Sequence, residues 1–286
     1  MKKILVTGAN GQLGKELRVR SKSFSEYEFL FLSREDLPIH HYELVRNTFA
    51  AFKPDYCINC AAYTAVDKAE SERDLAFIIN AESVGILAAV SASMQCKFIH
   101  VSTDYVYDGA CKGVHHEEDT PKPVSVYGES KLKGEREAVA NNPESVIIRT
   151  SWVYSVFGNN FVKTMIRLMN EREEISVVDD QKGSPTWAAD LASFIMHIVN
   201  YQFWNPGLYN FSNEGAITWF EFATEIKRLL GSSCKLNPIP TSAYPTPAKR
   251  PANSLMSKEK INRVFGYIAP DWKDSLSKCM AQLASL

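Results

Sequence analysis

A strand, a glycine-rich turn and a helix stand at the start of the chain, and no other stretch restricts the fold as much. Lys3-Ile4-Leu5-Val6-Thr7 is a short apolar strand, Gly8-Ala9-Asn10-Gly11-Gln12-Leu13-Gly14 follows, and Lys15-Glu16-Leu17-Arg18 reads as helix. Glycine tolerates turns and close backbone approaches that a Cβ forbids. Gly8 suits the tight turn, Gly11 a backbone laid along a pyrophosphate, and Gly14 a helix packed close on its strand. A helix that begins there points unpaired N–H groups at the phosphates of a dinucleotide. The spacing is G-x-x-G-x-x-G rather than G-x-G-x-x-G, and a plain strand-to-helix turn is the alternative. The flanking strand and helix favour the nucleotide.

Such a unit belongs in a parallel sheet, and the stretch to residue 150 supplies one. Residues 29–32, 57–60, 98–101 and 146–149 read as strands. Residues 42–52 and 74–94 have helical apolar spacing, with Asn80 inside the second pattern, and a further helix follows Tyr127. The alternation predicts an α/β fold with a Rossmann-type, doubly wound parallel sheet. Beyond residue 150 the pattern loosens. Residues 161–169, 190–199, 220–230 (closed by Gly231) and 271–286 read as helices, 175–178 and 208–211 as short strands, and the proline-rich 241–251 as a loop. The expected division is a dinucleotide-binding Rossmann domain over 1–150 and a smaller mixed α/β substrate-binding portion over 151–286. Some later segments are expected to return to the first domain, with a cleft between the two.

A hydrophobic content of 45% in 286 residues supports a proper core, and a net charge of −1 gives no overall pull toward nucleic acid or membrane. No apolar run reads as long enough to span a bilayer. The basic Met1-Lys2-Lys3 leads into a strand that ends at glycine, unlike a signal peptide. Of six cysteines, Cys57 and Cys60 share one strand pattern and point to opposite faces. With no second pair at zinc-like spacing, buried thiols in a reducing cytoplasm are expected.

The chemistry centres on Val126-Tyr127-Gly128-Glu129-Ser130-Lys131. Tyr127 and Lys131 are spaced i, i+4 and share a helix face. A neighbouring ammonium is expected to lower the pKa of a phenol, so that it exchanges a proton near neutrality. The same spacing also suits an exposed helix that merely carries both residues. Thr103, in Ser102-Thr103-Asp104 at a strand's C-terminal end, offers a hydroxyl, and small residues Ala61 and Ala62 end another strand. In a doubly wound sheet those ends converge with the glycine turn. The second strand ends in Ser33-Arg34, where NAD-selective sites place an acid. Arg34 suits a 2′-phosphate, which favours NADPH over NADH; Glu35 and Asp36 weaken this, and Arg34 reads as well as a solvated loop charge.

Gly8-x-x-Gly11-x-x-Gly14 with Tyr127-x-x-x-Lys131 resembles the extended, sugar-nucleotide-modifying branch of the short-chain dehydrogenase/reductase superfamily. Residues 102–109 (STDYVYDG), 59–70 (NCAAYTAVDKAE), 149–154 (RTSWVY), and Arg250-Pro251 with Ser254-Leu255 are very similar to segments of the dTDP-4-dehydrorhamnose reductase family. The resemblance implies an NAD(P)H-dependent reduction of the 4-keto group of dTDP-4-dehydro-L-rhamnose, the last step to dTDP-L-rhamnose in polysaccharide biosynthesis. It makes Tyr127 the acid, Lys131 its partner and a ribose ligand, and Thr103 the group that holds the keto oxygen. It places Gly8, Asn10, Gly11, Gln12, Leu13, Gly14, Ser33, Arg34, Ile39, Ala61, Ala62 and Tyr63 beside the cofactor. Thr64, Val66, Asp67, Asp104 and Trp152 would line the sugar pocket, and Arg250 would meet the diphosphate. One departure is Leu37-Pro38-Ile39-His40, where the family commonly has Leu-Asp-Ile-Thr. Pro38 has neither carboxylate nor N–H, so that adenine contact is missing or remade. Some relatives bind Mg2+ through glutamates at a homodimer interface; Glu16 fits one such position and nothing in the chain marks the others, so no metal is expected. Two rivals share parts of this pattern: a 4,6-dehydratase, which typically needs a glutamate where Tyr105 stands, and the NADP-binding regulatory subunit of methionine adenosyltransferase.

Overall fold

The computed structural model describes residues 1–110 and 112–285. Its centre is a six-stranded sheet. β1 (Lys2–Thr7), β2 (Tyr27–Leu32), β3 (Tyr56–Asn59), β4 (Lys97–Thr103) and β5 (Val146–Thr150) are joined by the later strand Gly207–Phe211. From one edge the order runs Gly207–Phe211, β5, β4, β3, β1, β2, and every neighbouring pair is parallel. The chain leaves β1 through helix α1 (Gln12–Ser21) to β2, then crosses back to pair β3 on the other side of β1. That reversal opens a crevice beyond the C-terminal ends of β1 and β3.

Strand side chains alternate between faces, and here both faces are covered. Ile4, Val6, Tyr56, Ile58, Ile99, Val146 and Ile148 pack on one side with Leu17, Leu191, Phe194 and Ile195. Leu5, Cys57, Phe98 and Ile147 pack on the other with Phe49, Val84 and Leu87. Cys57 and Cys60 fall on opposite sides, as period two requires, and all five cysteines among the described residues are free.

Residues 73–93 form one helical run interrupted by a π turn over Ile78–Glu82. This corrects the expectation of no apolar run of spanning length. The 21 residues Arg73–Ser93 meet that test by length and composition, with 56% of the window buried inside the fold. Their apolar side chains face other protein elements, which makes this a core helix.

The C-terminal helices Phe161–Glu171, Trp219–Leu230 and Trp272–Ala284 build a second core around Phe222, Ile226, Trp187 and Leu276. Thr218 and Glu221 form a reciprocal capping box at the start of Trp219–Leu230, and Gly231 ends it in the left-handed conformation (φ 66°). The strand Glu174–Val178 pairs with Lys235–Ile239, which the sequence does not suggest because Pro238 sits within it and no apolar alternation marks it. The strand Gly207–Phe211 and the helix Ala188–Asn200 pack with the first core, although both come from the later half of the chain. Ser155 bonded to Glu16 (2.6 Å) and Asn160 bonded to Gln12 (2.9 Å) tie α1 to the second core's segments.

Candidate active site

The glycine turn is shaped by contact as well as by φ. Gly8 has φ +68°, and a Cβ there would meet the backbone of Cys60 and Ala61 at 2.6 Å. A Cβ on Gly14 would lie 2.4 Å from the Gly8 carbonyl oxygen. Gly11 is the N-cap of α1 and provides no side chain to satisfy the first N–H groups. An anion is the natural partner for such a terminus.

At the end of β2 the Ser33 N–H donates to the Asp36 carboxylate (2.9 Å), and the Ser33 hydroxyl accepts from the Glu35 N–H (3.2 Å). Asp36 is thereby turned back into its own loop, while Arg34 stays exposed at the crevice. Leu37, Pro38 and Ile39 line the same wall, so Pro38 offers apolar contact where the family has an acid.

The helix Val126–Asn141, which carries Tyr127 and Lys131, starts at Ser125, whose hydroxyl accepts from the Gly128 N–H (3.2 Å). A Cβ on Gly134 would lie 1.9 Å from the Asn80 carbonyl oxygen, so this helix is seated directly on the π turn. Asn80 uses the other end of that contact. Its amide nitrogen donates to the Tyr63 carbonyl (3.0 Å) and to the Ser130 hydroxyl (2.9 Å), and its oxygen accepts from the Tyr63 N–H (2.8 Å). One buried amide therefore registers the loop after β3 against the helix Val126–Asn141; π turns recur at functional sites.

Tyr127 and Lys131 are both buried, and the phenol sits edge-on to the Tyr105 ring at 5.5 Å. Burial pushes the phenol up to about 12; the nearby Thr103 hydroxyl pulls down and Asp104 pushes up. This reverses the sign expected from the i, i+4 pair. The Lys131 ammonium is aimed instead at the Val101 carbonyl of β4 (2.7 Å) and at His100 (3.4 Å), and desolvation dominates the phenol. Burial pulls Lys131 itself down to about 8, against the upward pull of Glu135. The Thr103 hydroxyl donates to Asp104 (3.1 Å), and burial raises that carboxyl to about 6 against the lowering pull of the nearby Ser254 and Thr103 hydroxyls.

Trp152 has φ 48°, a conformation that costs energy for any residue with a Cβ. Its indole stacks on Trp219 with centroids 3.6 Å apart and 10° between planes. On the other side Gly183 leaves room: a Cβ there would meet the indole at 2.6 Å.

One cavity of about 870 Å³ takes in every candidate residue except Asp67 and Arg250. Those two bind each other. Arg250 meets Asp67 through both nitrogens (3.1 and 2.8 Å), the Ala248 N–H also donates to Asp67 (3.1 Å), and Arg250 further bonds Thr246 and the Ala248 carbonyl. Asp67, expected in the sugar pocket, and Arg250, expected at the diphosphate, thus hold each other at 25–40% side-chain exposure. The cavity also recruits Ile78, Ile79, Gly158 and Asn159, which no local motif marks. Glu16 is buried, raised by desolvation and held by Ser155, and its neighbour Asp190 accepts from Asn213 and Ser275. Among the described residues no group of three His, Cys, Asp or Glu is placed to hold a metal.

A parallel sheet with a phosphate-accepting turn, and a buried tyrosine and lysine one helical turn apart beside it, defines a dinucleotide-binding protein of the short-chain dehydrogenase/reductase class. The chain belongs to the family described as the RmlD substrate binding domain, whose model matches residues 1–285. It is 40% identical over 291 residues to the dTDP-4-dehydrorhamnose reductase of Aggregatibacter actinomycetemcomitans, covering 98% of this chain and 99% of that one. The crystal structure of a dTDP-4-dehydrorhamnose reductase from Clostridium acetobutylicum matches with a TM-score of 0.95 and 41% identity, covering 99% of each chain. That of the Bacillus anthracis reductase in complex with NADP matches with a TM-score of 0.94 and 39% identity, covering 99% of this chain and 100% of that one.

Proposed function

We propose that this chain reduces the 4-keto group of dTDP-4-dehydro-L-rhamnose to give dTDP-L-rhamnose, using NADPH at least as well as NADH. The observation that carries the reading is the buried phenol of Tyr127. It is raised by burial, so it keeps its proton at physiological pH, and it is set with Thr103 in the same cavity as the glycine turn. A reductase needs an acid that still holds its proton when negative charge grows on the substrate oxygen, and a phenol raised by burial does so. The cradle fits the dinucleotide: Gly8 and Gly14 admit backbone where a Cβ would clash, and the start of α1 faces the phosphates. When bound, the nicotinamide supplies the hydride. Thr103 holds the C4 oxygen, Tyr127 gives it a proton, and the Lys131 charge stabilises the phenolate left behind. Trp152, which lines the cavity, offers the hexose the edge of its indole. The second core behind Trp152 supports the reading of residues 151–286 as chiefly substrate-binding, and the exposed Arg34 with Asp36 turned away supports the phosphate-bearing cofactor.

Turnover of the dTDP-linked keto sugar, followed by NADPH oxidation against UDP- and GDP-linked keto sugars, tests the reading. Tyr127→Phe is expected to lower kcat by about 10²–10⁴-fold with little change in NADPH affinity. A wild-type rate in Tyr127→Phe, with chemistry limiting, overturns the assignment. A strong NADH preference unchanged in Arg34→Ala removes the cofactor argument. Absence of turnover with every keto sugar would favour the non-catalytic, regulatory reading.

A further inference from the structure

His100 lies at the centre of a buried polar chain whose hydrogen positions can be deduced. Asn59, at the end of β3, is fully buried, and its Oδ1 accepts from the Thr7 hydroxyl (2.6 Å) and from the Ala61 N–H (3.2 Å). A backbone N–H only donates, so that atom is the amide oxygen, and the atom 3.0 Å from His100 Nδ1 is the amide nitrogen. Nδ1 must then accept, which leaves the single hydrogen of a neutral imidazole on Nε2. The ring is neutral: burial and the neighbouring Lys131 charge hold it well below 6.5. Nε2 stands 3.4 Å from Lys131 Nζ.

We propose that His100 is a positioning residue for the reaction: its Nε2–H faces the Lys131 head group and sets the pH at which that lysine gives up its charge. An ammonium there meets the imidazole donor to donor, whereas the free amine accepts from it. Its other neighbours act differently. The Val101 carbonyl accepts from Lys131 in either form. The Glu135 carboxylate, one turn along the helix, favours the ammonium and is itself held by Arg149 (2.6 and 2.9 Å) and Ser102 (2.6 Å). Cys60, beyond β3, is raised to about 12 by burial and stays a thiol. Tyr127 stays a phenol, and Asp104 bears on that phenol. Thr7 directly precedes the glycine turn, and Ala61 lines the cavity. The chain Thr7–Asn59–His100–Lys131 therefore links the cofactor cradle to the lysine. The inference rests on the role given to Lys131 above, so its test does not depend on turnover.

The test is the pH dependence of NADPH affinity, followed by cofactor fluorescence from pH 6 to 10. The wild type is expected to show an inflection near 8 that disappears in Lys131→Met. His100→Phe should move it upward by roughly one pH unit, and His100→Gln, which returns an N–H near the same point, should move it back. Asn59→Asp gives a second route. A carboxylate accepts from Nδ1–H, reverses the tautomer, and lets Nε2 accept from the ammonium, so the inflection should again rise. An inflection that is absent, or unmoved in His100→Phe or Asn59→Asp while these bind NADPH, overturns the proposal. A changed melting temperature alone would then mark His100 as structural. Failure of keto-sugar turnover in a protein whose inflection moves as described would overturn the proposed function and leave this inference standing.

Discussion

Burying a phenol and an ammonium on one helix face raises one pKa to about 12 and lowers the other to about 8, so Tyr127 and Lys131 lie farther apart than the same groups in water. Asp104 is subject to the same force. Its folded pKa of about 6 lies above the ordinary aspartate value of 3.8, so the folded state holds this proton more tightly than the unfolded chain. Below the unfolded value both states are protonated and nothing is lost. As pH rises from there to the folded value, stability falls, and the deficit is complete above it. Asp104→Asn, which keeps an acceptor for Thr103, should therefore stabilise the protein at pH 7.5 by roughly 3 kcal/mol, with the gain gone at pH 3.5. Denaturant melts at the two pH values check this. Equal destabilisation at both would show that the carboxylate carries no such strain. Activity should fall as stability rises, the usual trade at a site that keeps an acid in a costly place.

Among the elements, the short strands of the second core act as spacers for the indole pair. Trp152 occupies a left-handed backbone conformation just after β5, and its ring is held between Trp219 and Gly183. Two indoles stacked at 3.6 Å leave no space for an added methyl group, so Gly183→Ala must push the Trp152 ring toward the cavity. The expected result is a loss on the order of tenfold or more in kcat/KM for the sugar nucleotide, with NADPH affinity unchanged. An unchanged kcat/KM would mean that the ring has another way to yield. Its emission spectrum, red-shifted if the indole is displaced into solvent, gives a second reading. This strained turn was not legible in the sequence. Trp152 stands in a family-like segment, but nothing near it names Gly183 or Trp219 as its supports.

For the whole molecule, the cavity is the joint between two cores. Gln12 and Glu16 of α1 bond to Asn160 and Ser155, while Asp67 clasps Arg250 across 183 positions of sequence. A ligand seated there should stabilise both cores together. At 100 times its Kd, NADPH should add about 2.7 kcal/mol. Melts followed by tryptophan fluorescence and by far-UV circular dichroism should coincide and shift together. A separate transition insensitive to NADPH would show that the cores unfold independently.

What the sequence determined by itself was whatever local spacing encodes. The strand–glycine–helix start needs only a short window, the alternation of strands and helices needs only apolar periodicity, and the Tyr127–Lys131 face needs only the pitch of a helix. The tertiary structure alone decided the rest. It paired Arg250 with Asp67, brought Gly207–Phe211 to the sheet edge, seated the catalytic helix on a π turn, and set His100 against Lys131. It also reversed the direction of the Tyr127 shift. Each of these depends on desolvation or on partners remote in the chain, and a charge's surroundings are a property of the folded volume rather than of any stretch of residues.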